Sequence, residues 1–219
     1  MMIDKSKKPP RRRRLGNILL AMVLASLLIG LGGYFLATHA PAFYQPAAER
    51  DRQKLLDDAI SFGRRLQDFV SNNIISERGE PLELSDDEVN GYLAAVNDPE
   101  IWEMLAIRME PWRKAFESDW LRNVQVEFSD GRVTVAGEVT WHDMDVVLSV
   151  SGLPEVDDDG QARLVVSGIR AGALPLPKFL FRSFLKDIDG RPLPAKVSHW
   201  RLKSVDIRDG KAVLSGRID

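Results

Sequence analysis

The chain has 219 residues, no cysteine, 28% charged and 44% hydrophobic residues, and a formal net charge of −2. This composition excludes a disordered low-complexity chain, a disulfide scaffold and a multi-pass membrane protein. The lack of cysteine also excludes a cysteine nucleophile and a thiolate metal site. The small net charge is the sum of three segments of very different charge. Residues 1–14 hold seven basic residues and one acid, residues 15–37 hold no charged residue, and the remainder is acidic.

The uncharged residues 15–37 predict a single transmembrane helix. At about 1.5 Å per residue this segment spans roughly 34 Å, against about 30 Å of bilayer hydrocarbon. The next basic residue is Arg50, so the charge asymmetry predicts a basic cytoplasmic tail at 1–14 and an extracytoplasmic domain at 38–219. A cleavable signal peptide is the alternative, although its apolar region normally has only about 7–15 residues. The predicted location is the cell membrane, with a single pass.

Residues 38–219 predict one domain that begins with helices. Apolar residues recur with a helical period from Ala47 to about Asn73, and a second helix is predicted to begin at a capping box of Ser85 and Glu88 and to end near Asn97. Tryptophans at helical spacing within residues 102–120 predict a kinked helix pair in the core. A ligand pocket and a membrane interface are the alternatives for that segment.

From residue 124 the period changes to two, which predicts strands. Hairpin turns are expected at Asp130-Gly131 and Asp209-Gly210, a bulge or turn near His142, and a further strand after Asp159-Gly160. The residues that follow Asp130-Gly131 closely match those that follow Asp209-Gly210, which predicts two similar hairpins in one antiparallel sheet. The predicted fold class is α+β, with a single N-terminal transmembrane helix and then one domain in which helices pack on a curved antiparallel sheet.

Catalytic and metal motifs are missing from the sequence. It contains no HExxH, nucleophile elbow, phosphate loop or dinucleotide fingerprint, and its three histidines lack ligand spacing. The acidic run 157–159 fails as an EF-hand loop, because Val166 stands where a glutamate is required. His142 with Asp143 is interpreted as a polar strand edge, since no nucleophile is close in sequence. We therefore predict no enzyme activity, metal or cofactor, and the acidic body argues against nucleic-acid binding.

Residues 168–188 carry the strongest functional pattern. Pro175 and Pro177 predict an extended approach to a helix with a broad, phenylalanine-rich apolar face and a basic stripe. Such a helix suits an acyl-chain groove or an anionic membrane surface, while an ordinary core helix is the alternative. The ligand-groove candidates are Leu174, Leu176, Phe179, Leu180, Phe181, Phe184 and Leu185. The headgroup-contact candidates are Lys178, Arg182 and Lys186.

Three short motifs follow the apolar N-terminal segment in a fixed order: Leu84-Ser85-Asp86-Asp87-Glu88-Val89-Asn90, Asp159-Gly160 up to Leu164, and Gly172 to Pro177. With these motifs the chain resembles the YpmS-type anchored envelope proteins of bacteria over roughly residues 84–218. That resemblance implies a bacterial extracytoplasmic domain without a known catalytic set. More remotely, the arrangement is similar to tubular lipid-binding domains, which implies an acyl-chain groove. The arginine-rich tail and residues 102–120 depart from the pattern.

Two functions are expected from these patterns. The first is a non-catalytic, membrane-anchored protein that binds a lipid or other amphiphile near the membrane. The alternative is a scaffold or interaction subunit of a bacterial envelope complex, with a sheet edge or the helix at 47–73 as its docking surface. The predicted partners are the lipid bilayer, a lipid ligand and an envelope protein.

Overall fold

A computed structural model describes residues 26–28, 30–46, 49–75, 80–98, 102, 121–141, 144–177, 179 and 200–218. Two helices in this part are named α1 (Arg52–Ile75) and α2 (Asp86–Asn97), and residues 30–38 are also helical. The strands are β1 (Leu82–Ser85), β2 (Arg122–Ser129), β3 (Arg132–Trp141), β4 (Met144–Val156), β5 (Ala162–Ala171), β6 (Leu174–Pro175), β7 (Trp200–Arg208) and β8 (Lys211–Ile218).

The strands form two antiparallel sheets, so the prediction of a single curved sheet is wrong. One sheet has the order β2-β3-β4-β5-β6 and the other has the order β1-β8-β7. The two similar hairpins therefore lie in different sheets. The side chain of Asn90, rather than another strand, bonds the backbone of β2 at Val126, which ends the five-stranded sheet there. The hairpins still meet at their turns, where the Gly210 N–H donates to the Phe128 carbonyl at 2.7 Å.

The transmembrane helix in the predicted fold class is also corrected. Among the described residues, no helix is long and apolar enough to cross a membrane. Residues 26–28 and 30–38 of that region are helical. Residues 15–25 and 29 of the predicted span lie outside the described residues.

The helices predicted over 47–73 and 85–97 are confirmed. The Asp51 carboxylate accepts the Gln53 N–H at 2.9 Å and the Lys54 N–H at 3.3 Å, so α1 begins at Arg52 rather than near Ala47. The capping box of Ser85 and Glu88 starts α2, which ends at Asn97 as predicted. The helices cross closely at Gly91, where a Cβ would lie 2.6–2.8 Å from atoms of Leu55, Asp58 and Ala59.

The main core lies between the helices and the three-stranded sheet. The rings of Phe62 and Tyr92 stack at 4.6 Å, and Leu82 and Leu84 of β1 are buried with them. Trp102 is buried beside Tyr92 at a centroid distance of 6.3 Å, while the rest of the tryptophan segment, 103–120, lies outside the described residues. A second cluster joins α2, β2 and the β7–β8 hairpin: Leu93, Val124, Val126, Phe128, Ile207 and Ala212.

The predicted turns and strands are confirmed where the structure describes them. Asp130-Gly131 and Asp209-Gly210 are hairpin turns, and a strand, β5, follows Gly160. The change of apolar phase falls between β3 and β4, which end and begin at Trp141 and Met144. His142 and Asp143 themselves lie outside the described residues.

Candidate functional site

The five-stranded sheet has two ends of different chemistry. At one end lie the β3–β4 connection and the Gly172-Ala173 turn between β5 and β6, and this is named the near end. At the other, the far end, lie the turns at 130–131 and 157–160. Antiparallel pairing fixes this division, because alternate connections between neighbouring strands lie at opposite ends.

One face of this sheet is apolar along its whole length. Val139 pairs with Val146, Gly137 with Leu148, and Val150 with Ile169, and residues paired in this way share a face. Toward the far end, Val126 and Phe128 of β2 are buried against Leu93 of α2, and the partly buried Val133 and Val135 of β3 pack against this cluster.

The same face is only half-buried at the near end. Val139, Val146 and Leu148 each keep an intermediate exposure to solvent. A Cβ on Gly137 would lie 2.6 Å from the Leu121 side chain, so Leu121 lies over the middle of β3. The near end therefore presents aliphatic side chains that the described core covers incompletely, which is the surface that an acyl chain prefers.

Three of the predicted groove residues are described, and two adjoin this face. Leu174 pairs with Ala171 in the short strand β6. The Leu176 N–H donates to the Ile169 carbonyl at 2.9 Å, and its side chain packs on Val166 and Ile169. Phe179 is 72% exposed. The other candidates lie outside the described residues: Lys178, Leu180, Phe181, Arg182, Phe184, Leu185 and Lys186.

The N-terminal helical segment 30–38 ends on the near end of the sheet. The Ala173 N–H donates to the Leu36 carbonyl at 2.8 Å, and the Gly172 N–H donates to the Val147 carbonyl at 2.7 Å. Gly172 has φ of 55°, and a Cβ there would lie 2.4–2.6 Å from the carbonyl oxygens of Leu36, Ala37 and His39. Only glycine fits this contact. Sequence reasoning missed it, although Gly172 was the available signal.

Most of this helical segment is apolar and exposed. Leu31, Tyr34 and Phe35 are 56–68% exposed. Among the described residues, no atom lies within 4 Å of where a Cβ would stand on Gly32 or Gly33. Exposed apolar surface of this kind marks a protein or membrane contact.

Residues 39–46, named the N-terminal arm, pass from the near end to β2. The Gln45 N–H donates to the Gln125 side chain at 3.1 Å, and the Gln125 amide donates back to the Gln45 carbonyl at 2.6 Å. Tyr44 and Gln125 are both buried. Since Gln125 pairs with Ala136, which shares its face with Ser149, the arm lies on the polar face, opposite the apolar one.

A partly buried polar network completes this attachment. The Asn123 amide donates to the Tyr44 hydroxyl at 2.8 Å, and Arg50 donates to the Asn123 side chain at 3.0 Å and to the Asn90 carbonyl at 3.2 Å. Burial, helped by the hydrogen bond to Glu138, raises the pKa of Tyr44 far above its ordinary value. The phenol is therefore protonated at neutral pH, and the network joins chain segments rather than transferring protons.

The acidic turn at the far end has a structural explanation. The Asp157 carboxylate accepts the Asp159 N–H at 3.0 Å and the Gln161 N–H at 2.8 Å, and it pairs with Arg163. A cavity of about 550 Å³ beside it is lined by Asp157 to Gly160 and by Arg201 to Lys203, a charged lining that does not suit an acyl chain. In the part of the chain that the structure describes, no cluster of metal-ligating side chains occurs.

The edge strands bear on the scaffold hypothesis. Asn90 and Gly210 bond the outer edge of β2 at Val126 and Phe128. The Leu202 N–H of β7 donates to the Gly160 carbonyl at 2.9 Å. These positions are already bonded within the chain, so they do not support docking of a partner strand.

Comparisons with known proteins give no relative on which to draw. A scan against family models, a search of curated proteins and a search of solved structures each found no match to this chain. The resemblance to YpmS-type envelope proteins stays a prediction from the sequence.

Proposed function

We propose that this is a non-catalytic, membrane-associated extracytoplasmic protein that binds a lipid or another amphiphile at the near end of its five-stranded sheet. One juxtaposition carries the proposal. The half-buried apolar face at Val139, Val146 and Leu148 lies at the same end of the sheet as the exposed apolar helix 30–38.

The chemistry of the face matches an apolar chain. An acyl chain laid along Val146 and Leu148 would remove aliphatic surface from water, at about 25 cal/mol of stabilisation per Å². The adjoining residues Leu174 and Leu176 extend this apolar surface toward Phe179. A ligand that leaves a bilayer beside the helix would reach the face without crossing the acidic far end.

The sequence supports the membrane setting. Seven basic residues precede the uncharged, apolar segment 15–37, a pattern typical of a chain that is directed to a membrane. The resemblance to anchored bacterial envelope proteins and, remotely, to tubular lipid-binding domains points the same way.

The proposal is tested on the full chain with two matched substitutions. Val146→Asp places a carboxylate on the apolar face, whereas Val165→Asp makes the same change at an exposed position of β5, on the opposite face. Each protein is purified with the membrane fraction, exchanged into a volatile buffer with mild detergent and weighed by native mass spectrometry, and its lipids are extracted.

We expect a stoichiometric lipid or amphiphile on the parent and on Val165→Asp, and a loss of about tenfold or more on folded Val146→Asp, which is about 1.4 kcal/mol of binding. Parent protein free of lipid, under conditions that retain lipid on a known binder, would contradict the proposal. Equal loading of both variants would place the ligand elsewhere and contradict the proposed face.

A further inference from the structure

We infer that the near end is a bilayer-contact surface whose orientation is fixed by the contact between Leu36 and the Gly172-Ala173 turn. The inference rests on the proposed function for its membrane setting and adds which surface meets the lipid. Its partner is a lipid surface, recognised by apolar and aromatic side chains.

The contact makes the helix and the sheet one unit. The Ala173 N–H donates to the carbonyl of Leu36, in the last turn of the helical segment, and the adjacent Gly172 lies against the carbonyls of Leu36, Ala37 and His39. The arm that follows is bonded at its other end to Gln125 of β2. With attachments on β2 and at the β5–β6 turn, the direction of the helix relative to the sheet is set from both edges.

The side chains around this contact suit a bilayer interface. Tyr34 and Phe35 lie in the last turns of the helix and are 56% and 68% exposed. Aromatic residues concentrate at the boundary between hydrocarbon and headgroups. The ring of Phe35 also stacks on His39 at 5.9 Å, so the aromatic group continues to the beginning of the arm.

The charged side chains of the domain favour the same orientation. Around its turns the far end carries the acids Asp130, Asp158, Asp159 and Asp209 and the basic residues Arg132, Arg163, Arg208 and Lys211. Charged groups of either sign lose their hydration in the interior of a bilayer. The charged far end therefore stays in water while the apolar near end meets the lipid.

The test uses depth-dependent fluorescence quenching on the full chain in vesicles of phosphatidylethanolamine and phosphatidylglycerol. The chain has no cysteine, so Thr140→Cys and Asp130→Cys each give one labelling site, at an exposed position of the near end and of the far end. Quencher-bearing lipids report whether the label reaches the headgroup region. We expect quenching at position 140 to be at least about threefold that at position 130, since only the near end reaches the interface.

A glycine pair tests whether the contact sets the orientation. Gly172→Ala introduces a Cβ where three carbonyls lie within 2.6 Å, whereas Gly131→Ala changes another glycine of positive φ that has open space around it. We expect the ratio of quenching at the near-end label to quenching at the far-end label to fall toward one in Gly172→Ala and to stay unchanged in Gly131→Ala.

Two results would overturn the inference. Equal or reversed quenching of the two positions in the otherwise unchanged chain would remove the oriented surface, whether or not Gly172→Ala folds. A folded Gly172→Ala protein that keeps the full difference would remove the role of the contact. Preferential quenching at position 140 in a protein that carries no lipid ligand would leave the orientation standing while the proposed function fails.

Discussion

Asn90 bonds both backbone polar groups of Val126 with a single side chain. Its amide nitrogen donates to the Val126 carbonyl at 2.8 Å, and its amide oxygen accepts the Val126 N–H at 2.6 Å. The side chain of α2 thus takes the place that a neighbouring strand would occupy beside β2. Because these groups of Val126 lie near the centre of the fold, their loss of partners is costly.

We expect Asn90→Ala to lower the free energy of unfolding by about 2 kcal/mol, since two partly buried hydrogen bonds disappear together. The uncovered edge of β2 should also increase association between molecules. Urea unfolding and size-exclusion chromatography measure the two effects. Asn97→Ala is the control, because within the described part of the chain that side chain makes one bond, to the Leu93 carbonyl. A loss as large as that of Asn90→Ala would contradict the assignment.

The fold is expected to lose stability in acid because of Glu88. Burial by itself raises the pKa of this carboxyl, but hydrogen bonds from Ser61, the Ser85 backbone and Arg65 outweigh burial and hold the pKa below its ordinary value. The unfolded chain therefore binds this proton more readily. Its stabilisation is complete above the unfolded pKa of about 4.3 and is lost as the pH falls through the lower folded pKa.

The measurement is urea unfolding of the parent and of Glu88→Gln at several pH values. We expect the variant to be less stable by about 2 kcal/mol at neutral pH and the gap to narrow below about pH 4. Glu83→Gln, at an exposed carboxylate 3.8 Å from Lys211, should keep the pH dependence of the parent. A gap for Glu88→Gln that does not change with pH would show that the charge of Glu88 is not the cause.

The crossing of the two helices predicts the effect of a single methyl group. Alanine normally stabilises a helix relative to glycine, but at Gly91 its Cβ would meet atoms of α1 at 2.6–2.8 Å. We expect Gly91→Ala to reduce stability by about 1–3 kcal/mol, because the helices must separate. Gly168→Ala, which has open space around it, should stay within about 0.5 kcal/mol of the parent by thermal unfolding. Equal melting temperatures for both variants would refute the close crossing.

Replacing Glu127, at the far end of the sheet, is expected to stabilise the protein. Burial, followed by the nearby charges of Asp86 and Asp130, raises the pKa of Glu127. Because the folded state then binds this proton more readily than the unfolded chain, ionisation destabilises the fold at neutral pH.

We expect Glu127→Gln to increase stability by about 0.5 kcal/mol at pH 7. The substitution removes a negative charge that is repelled by the nearby carboxylates of Asp86 and Asp130. The gain should disappear below about pH 4, where the parent carboxyl is protonated as well. Glu49→Gln removes an exposed charge just before α1 and serves as the control in the same denaturation series. A gain of equal size there would assign the effect to net charge.

Local signals predicted the elements of this fold well, because each is decided by neighbours in sequence. The capping box of Ser85 and Glu88 starts α2, and the Asp-Gly turns at 130 and 209 close their hairpins as expected. Which sheet each hairpin joins depends instead on a contact between residues 36 apart, Asn90 and Val126. No periodicity reports such a contact, and the prediction of one sheet failed for that reason.

The candidate site was predicted in part, for a related reason. Leu176 adjoins the apolar face as its place in an apolar, proline-rich segment suggested. The alternation of Val146 and Leu148 predicted a strand and its phase, but their nearness to the N-terminal helix comes from the contact of Leu36 with Ala173. Only the small residues of the Gly172-Ala173 turn hinted at that contact.

The attachment of the N-terminal arm reverses the usual order of assembly. A ribosome makes Gln45 early, yet its hydrogen-bond partner Gln125 follows 80 residues later, and the turn that bonds Leu36 comes later still. Contacts so distant in sequence close slowly, because the intervening chain must first be ordered. The apolar helix 30–38 is therefore synthesised well before the sheet to which it is joined. During synthesis its exposed apolar side chains must be accommodated by surroundings other than its own domain.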